Sequence, residues 1–214
     1  RDWHAEKACV NSLLVQEGAD ALAVLQRICQ SSARAVTAMG ALAVLRHDSE
    51  VCDEPAPSPG VMGQWPLVSQ RGLNEVVDVE DISMVSMCFG NGKLASYQQC
   101  HFTPDNWHNF TVIGTRGRME NFGEDPDGAV IRVWNRPMPY YNPWGDEQHT
   151  IPRDETIRSE DGRMMADFLR FLRSDSPSLE GAVEARNAVA AADLATRSIR
   201  NGGACCELPV LTHG

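Results

Sequence analysis

Leu94-Ala95-Ser96-Tyr97-Gln98-Gln99-Cys100-His101-Phe102-Thr103-Pro104-Asp105, followed shortly by Phe110-Thr111-Val112-Ile113-Gly114-Thr115-Arg116-Gly117-Arg118-Met119-Glu120-Asn121-Phe122, decides the fold. These runs read as neighbouring strands joined by tight turns. In the first, the two-residue period of a strand puts Tyr97, Gln99, His101 and Thr103 on one face. Gly90-Asn91-Gly92 precedes it and supplies the residues a hairpin turn needs, so 76–89 is expected to pair with 93–103. Arg116-Gly117 turns 109–115 into 118–122.

Further strands are expected outward from this core. Glu124-Asp125-Pro126-Asp127-Gly128 is a turn before 129–135, and 148–151 adds a short edge strand. Residues 35–45, rich in small and β-branched types, suit another strand. The 51–75 segment holds Pro55, Pro57, Pro59, Gly60 and Gly63 and reads as an irregular loop; 136–147 is a loop rich in proline, tyrosine and tryptophan. Helical spacing of Val10, Leu14, Ala21, Val24, Leu25 and Ile28 predicts a helix over 4–29, interrupted at Gly18. Met164, Met165, Phe168, Leu169 and Leu172 predict another over 160–173. Ser178 is a plausible N-cap for a last helix to about 200, with a stripe of Ala182, Ala185, Val189, Ala192, Thr196 and Ile199, ended by Gly202-Gly203. The sum is an α+β fold, a mainly antiparallel open sheet with helices packed on one face, in a single domain over 1–214.

Composition removes several functions. The net charge of −10, with Lys7 and Lys93 the only lysines, repels a phosphate backbone, so no nucleic acid is expected as partner. No run of about 18 apolar residues occurs, so no membrane span is expected. The seven cysteines are odd in number, scattered and without a C-x-x-C pair. They read as reduced thiols of a cytoplasmic protein, mostly buried fillers, and not as a zinc site. No metal is expected. G-x-G-x-x-G and G-x-S-x-G are both absent, so neither a nucleotide cradle nor a serine hydrolase site is legible, and the 214 residues alone imply no cofactor.

Trp3-His4-Ala5-Glu6, Thr37-Ala38-Met39-Gly40, Val77-Asp78-Val79-Glu80-Asp81-Ile82-Ser83-Met84, the block from Leu94 to Phe122, and Val133-Trp134-Asn135-Arg136 carry a resemblance. Together with the alanine-rich last helix, they resemble the C-terminal sheet domain of the glucose–fructose oxidoreductase/inositol dehydrogenase/MocA (Gfo/Idh/MocA) family. That family normally places a nicotinamide-binding Rossmann domain ahead of the sheet, and no such domain is legible here. The resemblance implies a site shared between domains. A lysine of an E-K-P motif comes from the Rossmann side, and a D-x-x-x-H helix from the sheet side. Here Gln16 stands at the aspartate position and Asp20 at the histidine position, while Ala21 and Ala23 replace two following acids. An unperturbed aspartate has a pKa of ~3.9, so at neutral pH Asp20 would serve as base or anion where a histidine titrates. Lys7 follows Glu6 but precedes no proline, so it is not the missing lysine.

The candidate catalytic residues are Asp20 and His101; the candidate substrate-binding residues are Gln16, Tyr97, Gln99, Asp105, Trp107 and His108. Gln16 and Asp20, a helical turn apart, either face a pocket together or form a solvated helix face. Glu17 reads as solvent-facing and is the next acid to test. His101 is either a cleft residue or a sheet-edge histidine. The family often has arginine near His108, so the ligand contact there differs. Arg116 and Arg118 flank a glycine turn and suit solvent as well as an anion. Trp134, Tyr140, Tyr141 and Trp144 suit a lid or, more in keeping with exposed aromatics, an assembly surface.

Three functions follow as expectations. The first is a stand-alone, non-redox derivative that binds a small organic, sugar-like or secondary-metabolite molecule. Any chemistry would be cofactor-free acid/base isomerisation, cyclisation or elimination. The second is the substrate and oligomerisation half of an NAD(P)-dependent sugar oxidoreductase, truncated or separately encoded. The third is a non-catalytic assembly module, since the family's open sheet face often makes homo-oligomers.

Overall fold

A computed structural model describes residues 6–44, 77–103, 107–125, 128–152, 160–174 and 181–208. These divide into two compact units: 1–104 with 179–214, and 105–178. The first unit holds α1 (Lys7–Val10), a π turn (Leu14–Gly18), α2 (Ala19–Cys29), β1 (Ala33–Ala41), β2 (Ile82–Phe89), β3 (Leu94–Cys100), α4 (Ala182–Arg200) and β8 (Cys206–Glu207). The second holds β4 (Thr111–Gly114), β5 (Gly117–Asp125), β6 (Gly128–Trp134), β7 (Glu147–Ile151) and α3 (Glu160–Ser174). Strands and helices are thus combined as an α+β fold.

The expected open sheet is, among the described residues, two four-stranded sheets, ordered β3-β2-β1-β8 and β4-β5-β6-β7. Every pairing is antiparallel. The break falls between Cys100 and Thr111. The β2–β3 hairpin closes through Gly92 at φ 82°, with Phe89 and Lys93 bonded across the turn. Gly114 pairs Gly117, so Thr115 and Arg116 form a two-residue turn. β8 was not expected; two residues give no periodic signal.

One face of the first sheet carries the core. Along β1 and β2, Val36, Ala38, Val85, Met87 and Phe89 point inward and are almost wholly buried. α4 lies on that face through Ala188, Ala191, Ala192, Ala195, Thr196 and Ser198. Of the expected stripe, Ala192 and Thr196 are buried and Ile199 packs against the core, but the first half is corrected. Val189 is 47% exposed and Ala182 and Ala185 face solvent, because the seam runs one position away through the smallest side chains. Small residues let the helix axis come close, and each large apolar chain sealed beneath it contributes about 1.5–3 kcal/mol.

The N-terminal helix also departs from expectation. Its interruption lies at Asn11, held at φ 64°, and not at Gly18, through which the helix continues. Ser12 caps the second piece: Val15 N donates to its Oγ at 3.2 Å. The buried seam is Leu14, Gly18, Leu22, Gln26 and Cys29; Val24 and Ile28 are exposed at 38% and 36%. Two of those five positions are not apolar side chains, so hydropathy pointed to the neighbouring face. Lys7–Cys29 has the length and hydropathy of a membrane span, but it is broken at Asn11 and buries this seam in the core.

Polar pins fix the frame. Asn11 is held by Arg200, whose guanidinium also reaches Glu80, and Lys7 Nζ lies 3.2 Å from the same carboxylate. Lys7 is therefore committed to a structural ion pair. Of the six described cysteines, Cys29 alone is buried, and Cys9 and Cys205 are exposed, contrary to the expectation of buried fillers; they sit on a short outer helix and a turn. The 51–75 loop and Ser178 lie outside the described residues, and α4 begins after Gly181.

In the second unit the 136–146 loop folds back on its own sheet. Trp134 Nε1 donates to Asn142 O at 2.6 Å, and Arg132 Nη1 to Pro143 O at 2.9 Å. Arg118 lies 3.9 Å from the Trp134 ring centre and pairs with Glu120 at 2.8 Å. Arg132 lies over Phe122 at 4.3 Å and Trp144 at 5.2 Å. Arg118 is thus held by stacking and a carboxylate, neither a solvated turn residue nor an open anion site.

Ser198 is fully buried; its hydroxyl accepts from Ala38 N at 2.9 Å and donates to Ala204 O at 2.6 Å. Ser198→Ala strands both backbone groups and is expected to cost about 1–3 kcal/mol, read as a lower urea midpoint at unchanged slope.

Candidate functional site

The π turn is where helix and sheet meet in polar contact. A π turn widens the helix by one residue and is frequent at functional sites. Here it brings Gly18 against β3. A Cβ on Gly18 would lie 2.6 Å from Gln99 Oε1, 3.3 Å from Leu14 and 3.4 Å from the Tyr97 ring. Glycine mid-helix costs roughly 0.5–1 kcal/mol relative to alanine. The close approach of the Gln99 carboxamide is what offsets that cost.

Gln99, 9% exposed, is the hub. Its Nε2 donates to the Leu13 carbonyl at 3.0 Å and lies 2.6 Å from His101 Nε2; its Oε1 accepts from the Tyr97 hydroxyl at 3.3 Å. On the other side of the imidazole, His101 Nδ1 is 3.7 Å from Glu17 Oε2. The backbone of His101 is fixed by a 2.9 Å bond from its N–H to Asp81 O. Asp81, 1% exposed, accepts from Ala43 N and Val44 N at 2.7 and 2.8 Å. Tyr97, Gln99, His101 and Glu17 thus form one polar chain across two elements.

Its electrostatics are those of a half-closed, negative site. Burial of the ring, then the charges of Glu17 and Asp20, push the Tyr97 hydroxyl up to about 12. It stays protonated and donates. Burial holds the His101 imidazole below its ordinary value, opposed by Glu17 and Asp81. Between the folded and ordinary values the unfolded chain binds more protons, so this residue's stabilising effect is full above about pH 6.5 and is lost as pH falls through the folded value.

Of the expected residues, the structure brings Tyr97, Gln99 and His101 into direct contact. Asp20 is exposed in the first turn of α2, its charge felt at Tyr97. Gln16 is exposed, and its backbone N–H bonds Ser12 O at 3.2 Å. Trp107, 55% exposed, and His108, whose carbonyl accepts from Asn121 at 2.7 Å, belong to the second unit. Asp105 lies outside the described residues. Sequence reasoning read Glu17 as solvent-facing and the next acid to test, read Gly18 as an interruption, and passed over the Leu13 carbonyl. The available signal was Gly18 itself, since a glycine kept inside a helical pattern marks a close approach.

Residues 43–208 match the oxidoreductase family known as Gfo/Idh/MocA, C-terminal alpha/beta domain. The chain belongs to this family. Within it, solved structures share the fold. The aldose–aldose oxidoreductase of Caulobacter crescentus, complexed with glycerol, is 14% identical, with 97% of this chain and 51% of that one covered at a TM-score of 0.64. An oxidoreductase domain protein from Kribbella flavida is 14% identical, with 98% and 55% covered at 0.65. GenD2 of gentamicin A biosynthesis, in complex with NAD, is 20% identical, with 98% and 52% covered at 0.54. The chain therefore spans about half the length of the structures it matches. No curated protein sequence matches it.

A dinucleotide cradle is built on parallel βαβ units. Among the described residues no strand pair is parallel, so the described Gfo/Idh/MocA sheet domain does not itself fit that cofactor.

Gly18→Ala tests the hub. The gain in helix propensity, up to about 1 kcal/mol, is opposed by overpacking of about 1–3 kcal/mol against Gln99. The expected outcome is a net loss of ~1 kcal/mol in urea unfolding, together with a shifted His101 titration by NMR. An unchanged titration would remove the close-approach argument.

Proposed function

We propose that this chain is the substrate-binding and proton-handling half of a Gfo/Idh/MocA oxidoreductase acting on a small polyhydroxylated molecule, with the nicotinamide half supplied by other polypeptide. The observation that carries this is the Tyr97–Gln99–His101–Glu17 chain, which sets polar groups of opposite role beside one another at the helix–sheet junction. Tyr97 stays protonated and donates to Gln99, while the carboxylates of Glu17 and Asp20 are acceptors for a hydroxyl. Supporting it, the chain spans about half of matched structures, one solved with glycerol and another with NAD. α3 leaves Phe168 and Leu172 exposed at 54% and 60%, the kind of apolar surface that further polypeptide covers.

The rival is cofactor-free isomerisation, cyclisation or elimination by the same groups, with Asp20 as base and His101 as donor. One titration separates the two. Addition of D-glucose or glycerol to ¹⁵N-labelled chain is expected to perturb the amides of 13–20 and 97–101, with no carbon-bound deuterium taken up by glucose in D₂O. Shifts elsewhere, or none, overturn the site. Deuterium incorporation without nicotinamide establishes the rival.

We also propose homo-oligomerisation through the open face of β1–β3. That face pairs Thr37 with Ser86 and Ser86 with Ser96, and Met39 with Met84 and Met84 with Gln98, without a charge among them. Met39 and Met84 are 64% and 50% exposed. A charged side chain opposing its own copy is strongly disfavoured in such an interface. Light scattering is expected to give a multimer for the parent chain and a monomer for Met84→Glu; a monomeric parent removes the idea.

A further inference from the structure

The Gln99 carboxamide can be oriented from its neighbours alone. Its nitrogen faces the Leu13 carbonyl at 3.0 Å, an oxygen that only accepts. The reversed amide would set carbonyl oxygen against carbonyl oxygen and lose the bond. With the nitrogen so placed, one N–H serves Leu13 and the other points at His101 Nε2, 2.6 Å away. Oε1 then faces the Tyr97 hydroxyl, which donates to it. The Leu13 carbonyl selects this orientation, and the Tyr97 hydroxyl and the imidazole, each able to donate or accept, follow it.

That orientation dictates the imidazole. Nε2 receives an N–H and must present its lone pair, so the neutral ring carries its proton on Nδ1. Nδ1 is the nitrogen facing Glu17 Oε2 at 3.7 Å. Placing a second proton on Nε2 would set N–H against N–H and sacrifice the Gln99 contact. The groups facing the ring are Glu17 on the π turn, Asp81 ahead of β2, and Gln99 on β3. The two carboxylates favour the charged ring, whereas the carboxamide and burial oppose it.

We infer that Gln99 locks His101 in its Nδ1–H form, with that proton turned toward Glu17 at 3.7 Å, and that Glu17 is the group on which a ligand hydroxyl bonds. Glu17 has the access this needs, with its side chain 58% exposed against 18% for His101. In the contact it makes, a bound hydroxyl donates its O–H to the Glu17 carboxylate as a hydrogen bond, with no covalent bond changed, while His101 keeps its own proton throughout. This rests on the ligand class proposed above. It also departs from the expectation of Asp20 and His101 as the acid/base pair.

Long-range ¹H–¹⁵N spectra of the full chain, with the His101 ring assigned by its loss in His101→Gln, test the inference without a ligand. At pH 7 His101 is expected as Nδ1–H with an unprotonated Nε2. In Gln99→Leu its titration midpoint moves up, because Nε2 is free to take a proton. In Glu17→Gln the midpoint moves down, because a charge favouring the imidazolium is gone. An Nε2–H ring, or a midpoint unmoved by Glu17→Gln, overturns the assignment. In a second arm, D-glucose affinity from amide shifts is expected to fall as pH drops through the carboxylate range and to lose that dependence in Glu17→Gln but keep it in Asp20→Asn. Dependence that follows Asp20 instead overturns Glu17 as acceptor. Absence of glucose binding with the Nδ1–H ring intact defeats the ligand class and leaves the tautomer lock standing.

Discussion

A single buried carboxamide joins the helical layer of the first unit to its sheet at the polar end. Gln99 reaches past the missing side chain of Gly18 to the Leu13 carbonyl, and by doing so fixes where the π turn lies on β3. A buried amide left half-bonded would cost more than it contributes, so this link is all or none. Every group of the candidate site hangs from it: the Tyr97 hydroxyl, the His101 ring and, through that ring, Glu17.

The rest of the unit is arranged so that this contact can form. The alanine seam of α4 brings the helix layer close to β1 and β2, and Ser198 satisfies backbone groups that the close approach would otherwise strand. The Glu80–Arg200–Asn11 cluster holds the turn from α1 into the capped second piece at Ser12. Displacing that turn would displace Leu13 and with it the acceptor that orients Gln99. Packing and site chemistry are therefore one problem in this unit.

Family membership sits comfortably with an altered site. Where the resemblance places a histidine on the helix, this chain has Asp20, exposed, and the histidine of the described cluster comes from the sheet instead. Two carboxylates, a permanent tyrosine donor and a neutral imidazole give a site whose charge differs from the one the family pattern implies. The fold is kept by apolar seams that such exchanges do not touch, which is why a sheet domain can change its polar groups without changing its topology.

The sequence by itself determined the strands other than β8, the glycine turns and the α+β class, because glycine turns and two-residue alternation are local signals. It also placed Tyr97, Gln99 and His101 on one strand face. It misjudged the helix faces, since the buried seam at Gly18 and Gln26 and the offset alanine stripe of α4 leave little trace in hydropathy. It could not divide the strands into two sheets, because pairing between distant strands is a property of the folded chain. Only tertiary structure decided that Glu17 faces His101 and that Lys7 and Arg118 are engaged elsewhere. Those outcomes depend on distances between side chains far apart in sequence, and no periodicity encodes a distance.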